Sequence, residues 1–465
     1  MLFNSYLFLF AFLPITYFVF RFFSYKNNKK AALLSLVIFS MLFYIHWNPP
    51  YIFLLSLSVI FNFFLGKYID KSINYRKYIF CIGIFANLLL LFYFKYANFF
   101  IDNVNAVLSN HIFNNLNNIV FPLGISFWTF QQISYLTDIY KRTHHAEQKV
   151  LYYIAYIFFF PHLIAGPIVR HEILISQFKK DRIYRLSYKS IVIGLCFLSV
   201  GLFKKVVIAD QLAPLVNDIF DTEKVSFTFA QAWLGALSYT LQIYFDFSGY
   251  SDMAIGIAKL FNIDLPINFY SPYKSYSIIE FWRRWHITLS SFLRDYLYIP
   301  LGGKFHKYRN LCLTMLIGGL WHGAGWTFVM WGGTHGFLLS VNHWYRQNKN
   351  KLGFIISDHL AWLMTFLAVT FCWVFFRAHD VTQAFNIILS MLNFSDILSV
   401  LQQKRYLSIC LFLVILCRFL PETFEFIKLN KNKKSQIKIY VCILMMLISI
   451  IMMNTIPTEF LYFQF

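Results

Sequence analysis

An all-helical protein that crosses a membrane many times is what this sequence predicts, on three observations. Its 465 residues are 58% hydrophobic and only 13% charged, too little charge to cover the surface of a soluble chain of that length. Apolar runs of about 20 residues, the length that spans a bilayer, recur from one end to the other. Short loops rich in Lys and Arg alternate with loops that lack them, the asymmetry that orients membrane helices.

Taken in order, spans are expected at Leu2–Phe23, Ala31–Trp47, Tyr51–Gly66, Tyr78–Phe100, Ile119–Tyr140, Ser190–Ala209, Thr228–Phe247, Leu311–Trp331, Leu352–Phe376, Tyr406–Leu420 and Ile439–Ile456. That makes about eleven crossings; the basic loops after the first span and before the last place both termini outside, which requires an even number of complete crossings. Leu151–Val169 begins as a span, but Phe160-Pro-His-Leu-Ile-Ala-Gly-Pro167 interrupts it and basic residues flank both sides, so a re-entrant or broken helix is expected. Tyr270 to Gly303 is too polar and Arg-rich to face lipid and reads as short helices buried in protein or lining a cavity. Neither an internal repeat nor a linker is apparent, and residues 1–465 are read as one domain.

The net charge of +20 raises nucleic acid as a partner, but its placement argues otherwise. Lys26, Lys29 and Lys30 follow the first apolar run and Lys67, Lys71, Arg76 and Lys77 the third, while 101–118 holds neither Lys nor Arg. Such loops mark the cytoplasmic side, facing anionic lipid or drawing in an anionic substrate, and no basic-aromatic nucleic-acid module is present. The seven cysteines lie scattered without a Cys-x-x-Cys pair, so neither zinc nor a disulfide framework is expected. The first apolar run lacks a basic region before it and a small-residue cleavage site and is read as a retained span.

Chemistry must therefore come from polar residues held at membrane depth, where burial is costly. Gln242 to Gly256 carries Asp246 and Asp252 among aromatics, read as helix caps or partners of arginines. Glu280-Phe-Trp-Arg-Arg-Trp-His286 carries Arg283, Arg284 and His286, with Trp282 and Trp285 bracketing the arginines for stacking or cation–π contact. Trp282, Trp285 and His286 fall at i, i+3 and i+4 and are expected on one helix face. Ile317-Gly-Gly-Leu-Trp-His-Gly-Ala-Gly-Trp326 sets His322 beside Trp321 among glycines, which let the backbone bend and a substrate approach. A neutral imidazole is a suitable general base. A membrane histidine can equally serve as a structural hydrogen-bonding group between helices. No ligand spacing supports a metal held by His286, His322 and His335, and none is expected.

At these strings the chain resembles the membrane-bound O-acyltransferase family, in its bacterial branch acting on peptidoglycan, alginate and teichoic acid. Phe121-Pro-Leu-Gly-Ile-Ser-Phe-Trp-Thr-Phe-Gln131, Gly166-Pro167, Tyr244-Phe-Asp-Phe-Ser-Gly-Tyr-Ser-Asp252, Glu280 to His286, Tyr298-Ile-Pro-Leu-Gly-Gly303 and Leu320-Trp-His-Gly323 carry the likeness. It implies a helical bundle around a funnel and transfer of an acyl group from a cytoplasmic thioester such as acetyl-CoA, with no bound cofactor. It implies His322 as the catalytic base and His286 as the second functional histidine. Arg283, Arg284, Trp285, Trp321, Asp246 and Asp252 are supporting or substrate-binding candidates. The terminal Phe460-Leu-Tyr-Phe-Gln-Phe465 resembles the branch's Phe-x-Tyr-x-x-Phe motif, which makes Tyr462 a candidate acyl carrier; an interfacial aromatic anchor is the other reading.

An AT-rich composition, with 56 Phe against 19 Gly, favours peptidoglycan over alginate as acceptor, with D-alanylation third. A periplasmic or extracellular transferase is the expected receiver, in the bacterial cytoplasmic membrane. A transporter or flippase of an acyl donor or sugar would also use intramembrane Asp, Arg and His, though the absence of an inverted repeat leans against it.

Overall fold

The computed structural model describes residues 1–47, 49–108, 113–116, 120–222, 224, 226–353, 356–428, 433–453 and 460–461. Helices dominate the described residues, and no strand occurs among them. Eight helical stretches are long and apolar enough to cross a membrane: Phe8–Tyr25, Lys29–Trp47, Tyr51–Lys71, Arg76–Leu108, Tyr188–Phe220, Asp358–Arg377, Phe394–Phe419 and Ser435–Met452. Each coincides with one of the eleven runs expected above. The other three runs, near 119–140, 228–247 and 311–331, are those that carry the motifs. Their helices fall below that length or apolarity, and they differ in burial: Leu313, Ile317, Trp326 and Met330 of the third run are exposed. Of helix Ile125–Tyr140, all but three residues are inside.

The backbone gathers into two compact units, Met1–Ser199 with Tyr250–Pro266, and Val200–Gly249 with Ile267–Phe465. In the first, Phe8, Phe12, Phe43 and Phe160 pack ring against ring. The Arg21 guanidinium donates to the carbonyls of Ile183, Arg185 and Leu260, closing backbone groups that loops leave open. The expected break is present: helix Val150–Phe158 stops at Phe159, a second turn runs Phe160–Leu163 with Pro161 in its first turn, and the chain then turns away. His162 is fully buried there. Its Nδ1 meets Gln131 Nε2 at 2.8 Å and its Nε2 meets the Tyr156 carbonyl at 2.9 Å, a structural histidine with both nitrogens used.

The second unit is organised by a tight helical hairpin. Leu311–Trp331 was expected as one span, but the helix starting at Lys307 ends at His322, and a new helix begins at Trp326. Gly323 and Gly325 between them are extended, at φ −159° and −166°. The two helices then lie so close that only glycine fits at the contact. A Cβ on Gly319 would stand 2.2 Å from the Phe328 carbonyl oxygen, and one on Gly332 would stand 2.3 Å from that of Met315. Hydropathy averaged over 20 residues does not register a three-residue turn, which is why the run reads as continuous. His322 is therefore at the tip of a hairpin rather than in the middle of a crossing.

Because the obstructing atoms at Gly319 are main chain, a side chain there must push the helices apart. Gly319→Val is expected to lower stability by about 1–3 kcal/mol. A thermal-unfolding midpoint in detergent equal to that of the unaltered protein would refute the close-packing account.

Candidate active site

His322 closes the last turn of helix Lys307–His322 and is 4% exposed. Its ring is walled by Trp321 at 4.8 Å, Trp331 at 5.0 Å and Phe376 at 5.1 Å between centroids, each edge-on. Trp331 comes from the facing hairpin helix and Phe376 from helix Asp358–Arg377, so two elements fix the ring from outside its own. Gly323 is required by this wall: a Cβ there would meet the Phe328 ring at 2.0 Å. A neutral imidazole is the form that accepts a proton.

His286 is wholly buried and stands in a different setting. Helix Ile278–Arg284 starts on a Ser277 cap whose hydroxyl accepts from Glu280 N–H, and it ends before Trp285, which is extended. His286 then takes a left-handed conformation, φ 42° and ψ 54°, to start helix Ile287–Leu293. The expected shared helix face of Trp282, Trp285 and His286 is thus not formed, because the backbone reverses its helical sense between them. A left-handed non-glycine residue costs about 1–3 kcal/mol and persists where surroundings over-determine it. Asn268 supplies that determination. Its backbone carbonyl accepts from Ile287 N–H at 2.9 Å. Its Oδ1 accepts from the Thr288 hydroxyl at 2.8 Å and from Thr288 N–H at 3.3 Å, and lies 3.1 Å from His286 Nδ1. With Oδ1 acting as acceptor, the hydrogen of the neutral ring belongs on Nδ1 and the lone pair on Nε2.

Aromatic rings join the two histidines. Trp321, next to His322, lies 6.2 Å from the His286 ring. On its other side His286 meets Phe247 edge-on at 4.7 Å, and Phe247 meets Phe460 at 5.9 Å. Phe460 and Leu461 are buried, and Leu461 N–H donates to Asp246 Oδ2 at 3.1 Å. Tyr462 lies outside the described residues.

The remaining candidates separate. Arg284 is tied to Glu280 at 2.8 Å and to the Tyr270 carbonyl, with its guanidinium over the Tyr270 ring rather than over Trp282 or Trp285. Arg283 is exposed. Trp285 is buried against Phe281, Phe269 and Trp373 and works as packing. Asp246 and Asp252 are buried in the interior of the continuous helix Phe229–Leu260, so neither is that helix's N-cap. The cation facing Asp246 is Lys205 at 2.5 Å, not an arginine. Asp252 belongs to the first unit. His335 is buried and accepts from Trp282 Nε1–H at 3.3 Å, and Trp331 packs against both His322 and His335. No group of three His, Cys, Asp or Glu side chains spaced to hold a metal occurs among the described residues.

Asn268, Phe247 and Lys205 were not singled out from the sequence. Lys205 had a signal, an ionisable side chain inside an expected span, Ser190–Ala209. Asn268 had none, since its partners lie 18 and 20 residues away.

Comparison with known proteins places this geometry. Residues 143–379 match MBOAT, the membrane-bound O-acyltransferase family. A peptidoglycan O-acetyltransferase of Helicobacter pylori is 42% identical over 98% of this chain and 90% of its own length. A "Probable alginate O-acetylase AlgI" of Pseudomonas aeruginosa is 41% identical over 85% of this chain and 75% of its own. A teichoic acid D-alanyltransferase of Bacillus subtilis is 26% identical over 64% of this chain and 76% of its own.

Replacing Asn268 with Leu releases the His286 ring and Thr288 together. The transfer after which the family is named is expected to fall about 10²-fold, the effect of misplacing a functional group by about 1 Å. Full turnover in this variant would remove His286 from the functional geometry.

Proposed function

The chain belongs to the membrane-bound O-acyltransferase family, and we propose that it carries an acetyl group from cytoplasmic acetyl-CoA across the membrane for O-acetylation of peptidoglycan. The observation that carries the proposal is the buried His322 imidazole at the tip of the glycine-packed hairpin, with the His286 ring 6.2 Å from the Trp321 ring that touches it. Peptidoglycan is favoured over alginate and over teichoic-acid D-alanylation because the relative named for it matches nearly the whole chain.

In the proposed reaction His322 is the general base. It takes the proton of an attacking hydroxyl as the oxygen adds to the thioester carbonyl. The C–S bond then breaks, and the thiolate leaves with the proton returned by the imidazolium. A positioned base of this kind contributes about 10²–10⁴-fold. His286, its ring set by Asn268, orients or polarises a reacting group nearby. Arg283, which is exposed, is better placed than the pinned Arg284 to meet the donor's phosphates.

The attacking hydroxyl in this reading is the Tyr462 phenol, whose ordinary pKa of about 10 makes a base necessary. In support, the preceding residues Phe460 and Leu461 are packed on Phe247 and Asp246, one ring away from His286. The acetyl-tyrosine ester is then attacked by a hydroxyl on the outer side, which returns the phenol and passes the acetyl group to a periplasmic or extracellular transferase. The location proposed is the bacterial cytoplasmic membrane, with basic loops inside and both termini outside.

His322→Ala is expected to abolish acetyl esters on muropeptides, read by mass spectrometry, at unchanged protein level. Normal ester content would falsify the role of base. Purified protein is expected to turn over acetyl-CoA without an ion gradient. A strict dependence on such a gradient would point to transport instead.

A further inference from the structure

We propose that Asp246, held by Lys205, whose ammonium also pairs with Asp210, is the seat of the chain's C-terminal segment, fixing it through the main-chain N–H of Leu461. This deepens the reading above, on which it rests for its functional meaning, because it names the groups that bring the Tyr462 motif to the site.

Three ionisable side chains, each 3% exposed or less, meet in the second unit. Lys205 Nζ stands 2.8 Å from Asp210 Oδ1 and 2.5 Å from Asp246 Oδ1. Burying such a set is unfavourable unless charges and hydrogen bonds are matched. Packing is an insufficient reason for it, since apolar side chains of similar volume would fill the space at least as stably. The second oxygen of Asp246 shows what the set holds: it accepts the Leu461 N–H at 3.1 Å. A carboxylate makes a stronger acceptor than a neutral group. A main-chain donor makes the contact independent of the side chain at 461.

The local backbone is shaped for this. Phe203–Ala209 is a π-helical turn, the local widening often found at functional sites, and it carries Lys205 inward. Asp210 starts the next helix directly after it. Helix 229–260 then presents Asp246 to Leu461 and the adjacent Phe247 to Phe460, whose ring is 1% exposed. Two consecutive residues of the segment are thus gripped by two consecutive residues of one helix. Phe247 also touches His286, so the grip and the functional histidine share a side chain. Asp246 and Lys205 are positioning residues in this account: they touch the segment, not the reacting atoms.

The test is amide hydrogen exchange at Leu461 in the full-length protein in detergent, read by fragmentation mass spectrometry. In Asp246→Leu the Leu461 amide is expected to exchange at least tenfold faster, while amides of helices 307–322 and 326–352 keep their rates. Should the altered charge set prevent folding, the triple variant Asp210→Asn/Lys205→Met/Asp246→Leu carries no charge at these positions and is expected to show the same local acceleration. Unchanged exchange at Leu461 in a folded variant overturns the seat. The tyrosyl route is judged separately by Tyr462→Phe. Undiminished muropeptide acetylation there, with faster Leu461 exchange in Asp246→Leu, sinks the tyrosyl route and leaves the seat standing.

Discussion

The close approach of two helices at Gly319 and Gly332 is the constraint on which the second unit depends. Main-chain atoms of one helix occupy the space where a side chain of the other would stand. That contact forces the chain to reverse within three residues after His322, puts Trp331 against the His322 ring and leaves Phe376 to close the other side. In an apolar medium such packing matters more than in water, because no hydrophobic force drives helix against helix and small residues at the interface carry the association.

In both units, several polar groups held away from water have their partners in the protein. His162 uses both nitrogens on Gln131 and a carbonyl. Arg284 is spent on Glu280 and Tyr270. Asn62 and Asn87 bond to one another. His286 is bonded at Nδ1 by Asn268, in a strained backbone state that Asn268 also maintains. A bond at Nδ1 sets the tautomer and aim of the ring, the arrangement a proton-handling group needs.

Class and most spans were legible in the sequence because they are one-dimensional properties. Apolar length predicts a crossing wherever lipid is the neighbour, and the eight helices that meet that description are the ones expected. The misread segments are those in which a short backbone break decides the path. Leu311–Trp331 looked continuous because Gly323 and Gly325 scarcely lower its mean hydropathy, yet they are what bends it. The supposed helix face of Trp282, Trp285 and His286 failed at a backbone reversal that spacing does not encode. His322 and His286 were identifiable as polar rings in apolar strings. Asn268, Phe247 and Lys205 acquire their meaning only from partners brought together by folding.

The hairpin also has a place in time. Its two helices are joined by three residues, so its contacts are local and close early, before slower long-range pairings. A chain made from its N-terminus forms this element while the later segments are still to come. Trp331 therefore meets His322 first, Phe376 arrives with the next helix, and Phe460 and Leu461 reach Phe247 and Asp246 only after those. The site is assembled from its base outward, and the seat near His286 stays vacant until the last part of the chain emerges. On the proposed tyrosyl route, a chain still lacking Tyr462 is therefore without its acyl carrier.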